Sequence, residues 1–225
     1  MRNHWWWRPG WHVGRRFFAF HITFESQPAL HDVAGAYRTA LAEMPSLTLI
    51  PDQWLHLTMQ GIGFTDEIQP AALSQLAEEA RNLLAAVPAF EVEFGSVIVA
   101  DEAIVMPANP PEPVQELRQL TRTALGRVFG EEQVPESADK FRPHVSVAYL
   151  TADGSSAPYI EAVNRAKVEQ ARVTITHVDL IEMHRDQQMY GGGPSRHCHW
   201  RSAGSRAEGG FWGAALRLCW RKGIR

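Results

Sequence analysis

Two stretches decide how this chain folds: WLHLTMQ, residues 54–60, and PHVSVAYL, residues 143–150. Both alternate with period two. In a strand, residues i and i+2 stand on one face about 6.6 Å apart. The first stretch puts Trp54, His56, Thr58 and Gln60 on one side, with Leu55, Leu57 and Met59 on the other, the core side. The second puts His144, Ser146 and Ala148 opposite Val145, Val147 and Tyr149. Each strand thus offers an imidazole and a hydroxyl from one polar face. His56 and His144 are 88 residues apart, so the two faces belong to separate halves of the chain.

Outward from these strands, helical and extended periodicities alternate. Residues 15–24 (RRFFAFHITF) are aromatic and β-branched and predict a strand. Residues 28–43 carry Leu30, Val33, Ala34, Tyr37 and Leu41 at helical spacing behind a leading Pro28. Residues 70–87, 113–129 and 158–168 repeat that pattern, each with proline at its start. Residues 47–50, 90–99, 102–106 and 144–150 predict strands, the middle two as a hairpin. Residues 173–183 predict one long final strand, and Gly61-Ile62-Gly63 a turn that ends the strand before it. Hairpin neighbours with helices between them indicate an α+β fold rather than a parallel α/β sheet. Residues 28–87 and 113–168 share a loose helix, histidine strand, helix order, a weak internal repeat.

Composition bounds the function. Of 225 residues, 45% are hydrophobic and 21% charged, which excludes disorder, collagen and coiled coil as descriptions of the whole chain. No apolar run approaches the ~18 residues of a membrane span. Residues 1–14 contain tryptophans but no signal-like apolar core. Cys198 and Cys219 are the only cysteines, so no disulfide framework is expected and a reducing, cytoplasmic location is. Charge is uneven: residues 191–225 carry net +6 and eight of the seventeen glycines, against −9 in the rest. That shift sets a domain boundary near Tyr190 and predicts a loosely ordered basic extension over 191–225. An arm contacting RNA phosphates, or an ending foreign to the protein, are the alternatives. The expected organisation is a Trp-rich segment (1–14), one two-lobed domain (15–190) and the extension (191–225). The acidic body argues against a broad nucleic-acid face, so any RNA contact should be local.

Two imidazole–hydroxyl pairs converging on one point suit a phosphodiester. A neutral histidine can take a proton from the nucleophile and a protonated one can give a proton to the leaving oxygen. With an ordinary pKa near 6.5, histidine supplies both forms near neutrality. The hydroxyls can donate to non-bridging oxygens where transition-state charge builds. A chain of this composition is expected to hold roughly one His-x-Thr/Ser by chance, so the paired context of His56-Leu57-Thr58 and His144-Val145-Ser146 carries the argument, not either motif alone.

PDQWLHLTMQGIG (51–63) and FRPHVSVAYL (141–150) resemble the two motifs of the two-histidine phosphoesterase superfamily, which includes the 2′-5′ RNA ligase and RNA 2′,3′-cyclic phosphodiesterase families. The resemblance covers residues 15–190. It implies a bilobal pseudo-twofold fold, antiparallel sheets flanked by helices around a central cleft, with no metal and no other cofactor. It also implies His56 as proton donor, His144 as the acceptor that activates water, and Thr58 and Ser146 as phosphate ligands. Many relatives carry Arg or Lys shortly after the second motif; Tyr149 stands there, and Arg142 or Lys140 is the candidate substitute contact. The family usually closes with a strand beyond the position of Tyr190, which the Gly-rich extension does not resemble. The expected partner is an RNA end or cyclic nucleotide, with no membrane. The expected activity is metal-free hydrolysis of a 2′,3′-cyclic phosphate to a 2′-phosphate, with 2′-5′ ligation as its reverse. A non-catalytic RNA- or nucleotide-binding protein with the same cleft is the alternative.

Other chemistry-bearing residues are expected to be structural. His21 with Thr23 has no partner motif; His177 and His184 lie on or after the last strand. His197-Cys198-His199 lacks the further ligands of a zinc site. Trp5, Trp6, Trp7 and Trp11 are expected to pack more than to stack bases, and Arg15 and Arg16 to begin a solvated strand.

Overall fold

A computed structural model describes the backbone of residues 1–201 and the side chains of residues 1–191. Its elements run β1 (Phe17–Thr23), α1 (Pro28–Leu41), β2 (Leu47–Leu49), β3 (His56–Phe64), α2 (Pro70–Leu84), β4 (Phe90–Phe94), β5 (Ile98–Val99) and β6 (Ala103–Pro107). They continue with α3 (Glu112–Phe129), β7 (His144–Leu150), α4 (Ala157–Arg165), β8 (Ala171–Ile175), β9 (His177–His184) and β10 (Gly191–Arg201). Among the described residues all pairing is antiparallel, in two four-stranded sheets ordered β10-β9-β1-β3 and β2-β7-β6-β5, plus a β4-β8 ribbon. The fold is α+β, as expected. Each α-helix has proline in its first turn, where a missing N–H costs nothing. Each turns its apolar stripe inward: Leu30, Val33, Ala34, Tyr37 and Leu41 on α1 are buried with Leu73, Leu76, Ala77, Ala80 and Leu84 on α2. No described helix is long and apolar enough to cross a membrane.

The two four-stranded sheets meet where β3 lies against β7, so the two histidine strands face each other. Directly paired residues of antiparallel strands share a face. Thr23 pairs with His56 and His21 with Thr58, while Ile22 pairs with Leu57, which is fully buried. The polar row thus stands on one side and the core on the other.

Several expectations fail at irregularities that period two cannot show. Residues 173–183 do not form one strand: the chain breaks at Thr176, β8 pairs with β4 and β9 with β1. Gly61-Ile62-Gly63 is no turn but the continuation of β3, paired with Ala19 and Phe18. The glycines serve close approach: a Cβ on Gly63 would lie 3.0 Å from the Ile68 side chain, and one on Gly61 3.3 Å from the Phe17 ring.

Met59 is the extra residue of a β-bulge, because Thr58 pairs with His21 and Gln60 with Phe20. Gln60 is therefore on the core face with Phe20, not beside His56 and Thr58. α3 secures the bulge: Arg118 Nε donates to the Met59 carbonyl at 2.6 Å, and Arg122 Nη1 donates to Gln60 Oε1 at 2.9 Å. Gln60 Nε2 in turn donates to the Pro135 carbonyl at 2.8 Å.

Neither end of the described chain is detached. β10 pairs with β9 from Gly191↔His184 to Arg201↔His177 with one irregularity, so the sheet continues past residue 190. Strand pairing uses backbone groups, and the glycine-rich composition that suggested a loose extension does not forbid it. The side chains of His197, Cys198 and His199, and all of residues 202–225, lie outside the described residues. At the other end, residues 1–14 strap across both sheets. His4 N donates to the Leu150 carbonyl at 2.9 Å and Arg2 N to Asp101 at 2.7 Å on one side. Gly14 N donates to Asp186 Oδ1 at 3.0 Å on the other.

Candidate active site

The two motif histidines are held by the same local device. His56 Nδ1 lies 2.7 Å from the carbonyl of Trp54, and His144 Nδ1 lies 2.7 Å from the carbonyl of Arg142. Each acceptor is two residues upstream. A short 3₁₀ turn, Asp52–Trp54, presents the first carbonyl at the entry to β3. A carbonyl can only accept, so Nδ1 carries the proton in both rings and Nε2 is left to exchange a proton with a ligand. β3 and β7 bring these two nitrogens within electrostatic reach: a charge on His144 lowers the pKa of His56. The larger cause of that lowering is burial, opposed by the bond to Trp54. His56 is half-buried, and His144 and Thr58 are exposed.

Ser146 is buried, with its hydroxyl close enough to the Tyr149 phenol to lower that group's pKa against the larger effect of burial. Sequence alternation had placed Tyr149 on the core face. Val105 pairs with Ser146 and Ile104 with Ala148, leaving Val147 as the extra residue of a second bulge. The bulge turns Ala148 inward and puts Tyr149 on the face of Ser146 and His144. Burial keeps Tyr149 a neutral phenol by raising its pKa. Arg142 is exposed, and its Nη1 donates to the Asp139 and Phe141 carbonyls of its own loop at 2.9 Å each. Lys140 is exposed on the same loop.

Four neighbours of the site carried no signal in the sequence. His21, read as structural, stacks on His56 with ring centroids 4.5 Å apart and planes within 5°. The second, Tyr190, lies 6.1 Å from the His56 ring and 5.4 Å from Tyr149, edge-on to both. The third, His4 of the N-terminal strap, stacks on Tyr149 at 4.2 Å and bonds the Tyr190 hydroxyl at 2.8 Å. Burial, with Arg8 and Arg185 nearby, lowers the His4 pKa to about 3, so this ring is neutral. Its Nδ1 sits 3.2 Å from Glu102 Oε2 but outside hydrogen-bond geometry. The fourth, Arg185, buried at 5% exposure, donates to the His4 carbonyl at 2.7 Å with its guanidinium 5.4 Å from the Trp5 ring.

The remaining candidates fall elsewhere. Trp5 is buried between Tyr149 and Tyr190, and Trp11 packs on Phe17 and Phe64; Trp6 and Trp7 are exposed. Arg15 is bonded to Asp66 and Glu67 rather than open to a phosphate. His177 and Asp179 of β9 both approach Thr23 Oγ1, at 3.1 and 2.8 Å. His184 lies 3.5 Å from Asp186. Among the described residues no three His, Cys, Asp or Glu side chains are grouped to hold a metal ion.

A family model described as the 2′-5′ RNA ligase superfamily matches residues 24–187. The chain belongs to the 2′-5′ RNA ligase superfamily. Both histidine motifs lie inside the matched span. Solved structures share the superfamily fold. Over 84% of this chain and 99% of the other, TT0787 of Thermus thermophilus superposes with a TM-score of 0.64 at 16% identity. E. coli LigT complexed with 3′-AMP gives 0.61 at 14% identity over the same shares. The MHV ns2 PDE domain gives 0.52 at 12% identity over 74% of this chain and 98% of its own. No curated protein matches the sequence. On this scaffold the chain places Tyr149 after the second motif, His21 against His56, and a strap that packs on Tyr149 and Tyr190.

The buried imidazoles make stability pH-dependent. His4, His21 and His56 are all held below the ordinary value of 6.5, chiefly by burial. The unfolded chain protonates all three near 6.5 and so binds more protons than the folded chain below that pH. Stability is therefore full above pH 6.5 and falls as the pH drops towards the folded values. The slope is about 1.4 kcal/mol per pH unit for each ring inside its window. Urea midpoints at pH 7.5 and pH 5 check this; the expected result is a clear drop on acidification, and equal midpoints contradict it.

Proposed function

We propose that this chain hydrolyses 2′,3′-cyclic phosphates of RNA ends or nucleotides, leaving a 2′-phosphate, without a metal ion. The observation that carries the proposal is the matched pair of Nδ1–H-anchored imidazoles, both presenting Nε2 from facing strands. His144 Nε2 takes a proton from water as its oxygen attacks phosphorus. The bond from phosphorus to the 3′-oxygen breaks, and His56 Nε2–H gives that oxygen its proton. Thr58 and Ser146 donate to the non-bridging oxygens as their charge grows. With a 5′-hydroxyl in place of water the same two roles serve ligation: His144 Nε2 takes the hydroxyl proton, the 5′-oxygen bonds to phosphorus, the bond to the 3′-oxygen breaks and His56 protonates it, leaving a 2′-5′ linkage, the ligase activity in the superfamily's name. LigT complexes with 3′-AMP, with phosphate and with ATP support a nucleotide or phosphate ligand for this scaffold. Arg142 keeps a candidate role as phosphate contact, which requires its guanidinium to leave the Asp139 and Phe141 carbonyls.

The test is a panel of 2′,3′-cyclic mononucleotides and cyclic-phosphate-ended RNAs, with EDTA present and the products resolved as 2′- or 3′-phosphates. Turnover to a 2′-phosphate that persists in EDTA is expected. Loss of activity on chelation, or tight binding without turnover of any member, overturns the proposal; the second outcome leaves a nucleotide-binding protein. A lowered His56 pKa makes the protonated acid a minority above pH 6.5 in the empty site. Accordingly kcat/KM should fall with rising pH along a limb below 6.5. The bound phosphate anion favours protonated His56, so the same limb in kcat should lie at higher pH.

A further inference from the structure

We propose that His21 is a positioning residue that sets both the ring plane of His56 and the hydrogen-bond direction of Thr58. The inference rests on the hydrolytic function proposed above and adds a residue outside the two motifs.

Its basis is placement. β1 lies between β3 and β9, and pairing sets His21 beside Thr58 on one side and beside Asp179 on the other. The His21 ring is 4% exposed and covers the face of His56 in a parallel stack. Its Nε2 lies 3.4 Å from Thr58 Oγ1, so one side chain touches the acid and a phosphate ligand of the same motif. The groups facing it are His56 and Thr58 from β3 and Asp179 from β9, whose carboxylate accepts from Thr23 and lies beside His177. Beyond His56 stand Tyr190 and His144 of β7.

Two consequences follow from chemistry. Stacked imidazoles 4.5 Å apart cannot both carry charge in a buried site, and burial drives the His21 pKa well below its ordinary value. His21 therefore stays neutral, and the proton entering the stack resides on His56, as a general acid needs. The second consequence concerns the tautomer. If Nε2 carries the His21 proton, it donates to Thr58 Oγ1 and leaves the threonine hydrogen for the phosphate. With the proton on Nδ1, Nε2 would accept that hydrogen and turn the hydroxyl away. The proposal requires the Nε2–H form.

Three measurements separate these contributions. Nitrogen-15 NMR of the ligand-free full chain should show His21 neutral at pH 6 with its proton on Nε2. His21→Phe keeps a flat ring on His56 and removes the donor; kcat/KM for a cyclic phosphate should fall about 3- to 10-fold, the size of one hydrogen bond, with the position of its pH limb little changed. His21→Gln keeps a donor but opens the face of His56 to water, so the His56 titration, followed by NMR, should move to higher pH. The His21 Nδ1–H tautomer, or an unmoved His56 titration in folded His21→Gln with an unchanged kcat/KM in folded His21→Phe, overturns the proposal. Both NMR measurements stand without turnover, so failure of the hydrolytic reading and failure of the positioning role give different results. Should either variant not fold, the tautomer in the unaltered protein still decides.

Discussion

Under the proposed hydrolysis, His56→Ala and His144→Ala should each lower turnover of a 2′,3′-cyclic phosphate by about 10²–10⁴-fold, the usual contribution of one positioned acid or base. The two lesions should look alike because the rings are held alike, each by a single bond from Nδ1 to the carbonyl two residues earlier. His144 is exposed, so its removal empties no core space, and its thermal midpoint should match that of the unaltered protein. His56→Ala also uncovers one face of His21, which makes a modest loss of stability the expected companion there. The double variant should be little worse than either single one, since acid and base serve one transition state and residues acting as a unit are strongly non-additive. Steady-state kinetics with a circular-dichroism melt on each variant checks this. A folded single variant within a few-fold of full activity would falsify the two-imidazole mechanism.

Trp5→Ala should cost about 3–5 kcal/mol, the range for deleting a buried large aromatic. Its indole is buried, with Tyr149, Tyr190 and His4 at ring distances of 5.4, 5.3 and 5.0 Å and the Arg185 guanidinium alongside. That packing ties the strap to both sheets at once, because Tyr149 ends the second histidine strand and Tyr190 follows β9. Loss of the indole should lower the urea midpoint and open the Trp7–Arg8 peptide bond to chymotrypsin. It should also reduce turnover, since Tyr149 and Tyr190 border Ser146 and His56 and would lose their backing. An unchanged midpoint with an uncut strap means that residues 1–8 are a dispensable appendage. Unchanged turnover in a destabilised variant means that the strap is structural and not part of the site.

The motif strands, the four helices and the α+β class were legible because each is written in local period. Leu57 and Met59 are apolar where the core is, and His56 and Thr58 polar where the site is. His21 was not legible: a lone His-x-Thr has no weight until β1 is known to run between β3 and β9. Tyr149 was misplaced, as was Gln60, by the same rule that read His56 and Ser146 correctly. Alternation holds only until a bulge adds a residue, and the bulges at Met59 and Val147 arise from pairing with β1 and β6. The strap was invisible for another reason. Its tryptophans and His4 have no periodicity, and the surface that receives Trp5 and His4 is made by Tyr149, Tyr190 and Arg185, which lie 144 or more residues further along the chain.

By itself the sequence determined that the two imidazole–hydroxyl pairs proposed for phosphoryl chemistry stand on two strands, since one-residue alternation needs only neighbouring atoms. Tertiary structure alone decided which further side chains surround them. Strand order, bulges and the docking of a distant end depend on contacts between segments that share no local pattern, and a single inserted residue sends every later side chain to the opposite face.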